Sequence, residues 1–271
     1  DHLLEKNIED TIYFRIRGNY IMKDQMAILD ILAHNNWKRP VYFAVNMPGN
    51  SYAGLDDYLQ LEGLAYRLVP VKNTREEKSL AARPQVALEK SYNLVMHTFA
   101  YGGIKNPKVY ADETSQRMFA DPMRFSCSVL ANALAEAGKK KEAVDVIEKC
   151  TTEIPATQIA PDNPTLDLIN AAYIADDQTL AENLSRISFM HYFNTWRWYA
   201  SFGEGRIPGD AADIRDGMFS LVEMANNYGD TNLENEFINQ MNLVGLKMPV
   251  AEPEPIEDSI PPDTMRDTTK K

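Results

Sequence analysis

The chain has 271 residues, 44% hydrophobic and 25% charged, enough apolar material for one large or two modest globular cores. With 39 acidic against 28 basic residues and a formal net charge of -11, most of the surface opposes a phosphate backbone, and nucleic acid is excluded as an expected partner. No run approaches the ~20 consecutive apolar residues of a membrane-spanning helix, so the stretch is expected to be water-soluble. It starts at Asp1 with no basic-then-apolar leader, which reads as a segment of a longer protein.

The residues Thr11 to Arg17 are β-branched, aromatic or charged and stop at Gly18-Asn19, the pattern of a strand ending in a turn. Met22, Met26, Leu29 and Ala33, with Ile28, Ile31 and Leu32 beside them, then have helical spacing, and Asn35-Asn36 closes the helix before Pro40. Val41 to Val45 reads as a second strand. Leu55, Tyr58, Leu59 and Leu61 suggest a short helix ended by Gly63, and Ala65 to Val71 a third strand. The order β-α-β-α-β over residues 1–75 predicts a small, partly parallel sheet with helices packed on it.

Beyond the charged stretch Lys72 to Lys78 the strand signals end, and residues 76–247 read as helical hairpins. One pair fits a tetratricopeptide-like frame over 124–157. Leu130 and Ala131 take the close-packing positions of its first helix, and Ala135 to Gly138 makes the turn. Ala143, Ile147 and Cys150 take the packing face of the second, and Pro155 ends the unit. A generic helical hairpin is the plainer alternative. Further pairs are predicted from Thr165 through Phe202 and from Ala211 through Val244. Residues 248–271 are rich in Pro and acids and lack apolar periodicity, so a flexible tail is expected there. The predicted fold class is therefore α+β and mostly α.

Chemistry-bearing motifs are sparse. The four histidines are scattered without metal-ligand spacing, and no nucleophile-elbow, P-loop or dinucleotide fingerprint occurs, so no catalytic residue, metal or cofactor is assigned. Asp56-Asp57 with Glu62 is the densest carboxylate group; it serves either acid-base chemistry or a helix start favoured by the helix dipole. Cys127 and Cys150 face each other across the predicted hairpin, as a disulfide or as two buried thiols.

Two aromatic groups are candidate binding sites. In the loop Asn35 to Pro40, Asn36, Trp37 and Arg39 combine amide, indole and cation, a set that holds a sugar by stacking and hydrogen bonds or else caps the small core. The run Phe189 to Tyr199 carries more rings than one helical face can bury: Phe189, Tyr192, Phe193 and Trp196 fit a buried stripe, and Trp198 and Tyr199 fall partly elsewhere. Trp196, Trp198 and Tyr199 thus join the candidate binding residues, with inter-repeat packing as the alternative. In the tail, Ser259, Thr264 and Thr268 each follow an Asp, in the pattern of a short bacterial O-glycosylation acceptor or by chance in a biased segment.

The strings Asn35 to Ala44 and Gly54 to Pro70 closely resemble the C-terminal soluble region of the membrane proteins grouped as domain of unknown function 2723. That resemblance is strong over about residues 10 to 72 and loose over the helical remainder. Members of that family look like multi-pass proteins similar to protein O-mannosyltransferases. The resemblance implies a non-catalytic domain on the periplasmic side of the inner membrane, carried by a glycosyltransferase-like membrane body. Its expected role is to position an acceptor polypeptide or stabilise that body; direct carbohydrate binding and a structural cap without ligand are the alternatives.

Overall fold

The computed structural model describes residues 8–13, 19–47, 49–73, 85–202 and 211–249. A small sheet near the N-terminus is followed by an array of helices. The predicted N-terminal helix forms as α1 (Lys23–Asn35), and the second predicted strand as β1 (Tyr42–Ala44). The expected first strand falls largely on 14–18, outside the described residues; Ile12 and Tyr13, at its start, are not in a strand.

Where a short helix is predicted, only Asp56–Tyr58 coils, as a single 3-10 turn, and Leu59–Glu62 extends as β2. Leu59-Gln60-Leu61-Glu62 alternates with period 2, and Gly63, at φ 62°, supplies the left-handed turn that sends the chain back as β3 (Ala65–Leu68). The result is an antiparallel hairpin instead of the expected parallel crossover. β1 adds antiparallel to β3, and the two-residue strand β4 (Gln85–Val86), which has no strand signal of its own, adds parallel to β2, giving the order β1-β3-β2-β4.

Phe43, Tyr66 and Leu61 stand in register on one face and pack with Leu55 and Tyr58 in a small core that also takes Val129 from the helical array. The turn at Gly63 is pinned to that array: its N–H donates to Ser91 Oγ at 3.2 Å, and its carbonyl accepts from Ser126 Oγ. A Cβ there would lie 2.9 Å from the Leu94 side chain, which would have to shift, and would stand on a left-handed backbone, so glycine is the unstrained residue at this turn.

After α2 (Leu88–Asn93) and short helical segments at Leu94–Thr98, Glu113–Ser115 and Gln116–Ala120, the long helices of the array are α3 (Asp121–Glu136), α4 (Lys140–Glu153), α5 (Asn163–Ile174), α6 (Gln178–Ala200), α7 (Ala211–Asn227) and α8 (Thr231–Leu243). The three hairpins close alike. Gly138, Asp176 and Gly229 are left-handed, and the next residue's N–H returns to a carbonyl five residues back: Lys139 to Leu134, Asp177 to Ala172 and Asp230 to Ala225, at 2.8 to 3.0 Å. Asp177 and Asp230 then cap the following helix.

The close helix contacts use small residues. Ala131, Ala143, Ala171, Ala172 and Ala181 are fully buried, as are Leu130, Ile147 and Cys150, which the sequence places on the packing faces. At Gly217 in α7 a Cβ would lie 2.7 Å from the Tyr192 ring of α6, so glycine lets that backbone press on the ring. Phe189 stacks on Phe237 of α8 at 4.1 Å between ring centres.

Candidate functional site

α1 is unusual in that none of its residues is buried. Ile28 and Leu32 lean on the small core, while the stripe Met22, Met26, Leu29, Ala33 turns to an adjacent face, where Met22 and Met26 are exposed. Trp37 ends the stripe. Asn36 and Trp37 are both left-handed, at φ 47° and 56°. Asparagine tolerates that conformation, but for an indole-bearing residue it costs about 1 kcal/mol. Asn35 holds the loop in place: its Oδ1 accepts from the Arg39 N–H at 3.1 Å, and its Nδ2 donates to the Arg39 carbonyl at 2.6 Å.

The ring so presented is 53% exposed and stands at the lip of a cleft of about 440 Å³. Ile12, Leu29, Leu32, Leu55 and Pro70 make an aliphatic floor. Glu9 and Asp10 also line it, on a segment fastened by the bond from the Glu9 N–H to the Pro70 carbonyl at 2.8 Å. Neither carboxylate is paired with a cation among the described residues. Of the three loop candidates only Trp37 reaches the cleft; Asn36 and Arg39 are exposed and do not line it. Asn35 is the residue that satisfies the loop backbone.

The second aromatic group lies elsewhere. Phe189, Tyr192 and Phe193 are buried, and Trp196 is half-buried against the same large core. Trp198 is 58% exposed, with its ring 5.1 Å from Tyr199 and edge-on to Phe202 at 4.8 Å. Trp37 and Trp198 therefore belong to separate surfaces, because the walls of the Trp37 cleft come from residues 9–70.

The sequence does not single out the polar face of the sheet as a site. There Glu62, 5% exposed, accepts from Tyr42 Oη at 2.6 Å and Arg67 Nη1 at 3.2 Å, and Lys90 of α2 donates to it as well. Burial alone would push the carboxyl up, but the hydrogen bonds from Lys90, Tyr42 and Arg67 outweigh it and hold Glu62 below its ordinary value. Asp56 and Asp57 take no part in this group; they start the single 3-10 turn before β2. The alternation of charge within Leu59 to Glu62 and Ala65 to Leu68 is the only sequence trace of the cluster.

Cys127 and Cys150 are free thiols, 0% and 1% exposed, facing each other between α3 and α4. Their mutual hydrogen bond and burial push the Cys150 thiol well up, away from the reactive thiolate. A water-soluble maleimide is expected to leave the native protein unlabelled and to add twice after unfolding without reductant. An intact mass lighter by two hydrogens, with no labelling of the unfolded chain, would show a disulfide instead. Ser259, Thr264 and Thr268 lie outside the described residues.

Residues 2–87 match the family model described as TMEM260-associated domain 2, about a third of the chain and the part that contains α1, the Trp37 loop and the sheet. No curated protein and no solved structure matches the chain. No helix among the described residues is long and apolar enough to cross a membrane.

Proposed function

We propose that this chain is a non-catalytic region of a larger membrane protein with a body similar to lipid-linked-sugar glycosyltransferases, placed on the periplasmic side of the inner membrane. Its task is to hold polypeptide, either an acceptor chain or a segment of the membrane body. The family match over residues 2–87, to a TMEM260-associated domain, supports the link to a membrane protein. The observation that carries the polypeptide reading is α1, a helix of 13 residues with no buried residue, whose apolar stripe runs into the Trp37 cleft. A helix in globular protein is normally held by burying such a stripe, so the exposed one is a surface for another chain.

A photo-crosslinking residue at Met26 of the full-length protein tests this in its native membrane. Polypeptide adducts at Met26, and none from the same residue at exposed Glu148 of α4, are the expected result; equal yields at the two positions would refute the reading. Direct carbohydrate binding is the second reading, favoured by the exposed rings of Trp198 and Phe202 beside half-buried Tyr199. Glycan-array binding unchanged in Trp198→Ala would remove it.

A further inference from the structure

We infer that the cleft beside α1 takes an extended polypeptide segment that carries a Lys or Arg side chain between apolar ones. This rests on the proposal that the α1 face holds polypeptide, and it names the chemistry of what is held. The stripe from Met22 to Trp37 spans about 15 residues of rise, about 22 Å, the length of roughly six or seven extended residues and far more than one sugar ring needs. The floor is aliphatic, with the hydroxyl partners of a sugar confined to Glu9 and Asp10, so side chains such as Leu or Val fit it better than a polyhydroxylated ring.

Charge sets the rest. Glu9 and Asp10 stand at the cleft with no described cation paired to them, and the net charge of -11 draws basic segments toward the surface. A guanidinium or ammonium placed between those carboxylates and the Trp37 ring gains ion pairing and a cation–π contact. The left-handed Trp37 and the Asn35 clasp keep the ring at the lip before anything binds, which lowers the ordering cost of association. An acidic segment is repelled; the chain's own Glu252-Pro253-Glu254 stretch has the wrong sign to compete.

The test is fluorescence anisotropy of the whole chain with labelled nine-residue peptides, one with Arg set among Leu and Val and one with Glu in place of Arg. The Arg peptide is expected to bind at least about tenfold tighter than the Glu peptide, and to weaken as salt rises from about 50 to about 500 mM. Trp37→Ala and the pair Glu9→Gln with Asp10→Asn should each cost about tenfold, and Trp37→Phe should restore most of the loss of Trp37→Ala. Trp37→Gly removes the ring while relieving the left-handed backbone, so it should weaken binding by the same factor of about ten without lowering the melting temperature. Equal binding of the two peptides, or full binding by Trp37→Ala, would overturn the inference. If Met26 still crosslinks polypeptide in the membrane while the peptides show no charge preference, the charge inference falls and the polypeptide reading stands. If neither assay finds polypeptide, both fall.

Discussion

Replacing Arg124 by methionine is expected to lower the midpoint of thermal unfolding by about 5–10 °C, the equivalent of about 3 kcal/mol in a chain of this size. The guanidinium is 3% exposed at the start of α3, and its three partners lie in the segment that leads into α5. Nη1 donates to the Ala160 carbonyl at 2.8 Å and pairs with Asp162 at 2.9 Å, and Nη2 donates to the Ile159 carbonyl at 3.1 Å. Asp162 in turn caps α5 by accepting from the Thr165 N–H at 3.1 Å.

One side chain thus ties the first hairpin to the second. Without it the buried Ile159 carbonyl loses its donor, at about 1–3 kcal/mol, while the carbonyl of exposed Ala160 can turn to water. Asp162 would also face Asp121 alone, whose carboxyl is already pushed up by burial and by the Asp162 charge, with Arg124 opposing. The Asp162 side chain is 31% exposed, so solvent screens part of this and the total belongs at the low end of buried-pair costs. Lysine at 124 should fall between, because a single ammonium cannot reach both carbonyls and the carboxylate as a planar fork does. Circular dichroism melts decide it: an Arg124→Met midpoint within about 2 °C of the wild type would mean that the guanidinium merely fills space.

The hairpins were legible because their signals are local. Helical periodicity, the small residues at Ala131 and Ala143 and the glycine turns at 138 and 229 all sit within one turn of the element that they specify. Asp176 is the left-handed turn residue that composition does not announce, since only the closure shared with Gly138 and Gly229 makes its role plain. In the sheet the local signal misled. Leu55, Tyr58, Leu59 and Leu61 satisfy helical spacing and strand alternation at once, and the choice is made by long-range pairing with Ala65 to Leu68. β4 is two residues long and exists only through its partner β2.

The candidate loop was legible in kind and not in detail. Trp37 does line a cleft, but Glu9, Asp10 and Leu55 reach it through chain reversals that the sequence does not encode locally. Asn36 and Arg39 are neighbours of Trp37 in sequence and take no part in lining the cleft. The Glu62 cluster was hidden for the same reason, since Tyr42, Glu62, Arg67 and Lys90 come from four elements.

That cluster sets the second large effect, a pH dependence. Because the Glu62 carboxyl is held below its ordinary value in the folded chain, its contribution is complete above the unfolded pKa of about 4.3 and is lost as pH falls through the lower folded value. The Lys90 ammonium, raised chiefly by its bond to Glu62 against the pull of burial, contributes below about pH 10.4 and loses that contribution as pH rises through its folded value. Between these limits the pair is intact. Glu62→Gln keeps the shape and the bond from Tyr42 but removes the charge, and should cost about 1–2 kcal/mol at pH 7, a figure kept small because the Arg67 and Lys90 side chains are 40% and 51% exposed. Urea unfolding of both proteins at about pH 7, 5 and 3 measures the difference. It should hold from about pH 7 to about pH 5 and be smaller at about pH 3, below the unfolded value; a gap independent of pH would show that Glu62 acts through packing and not through its charge.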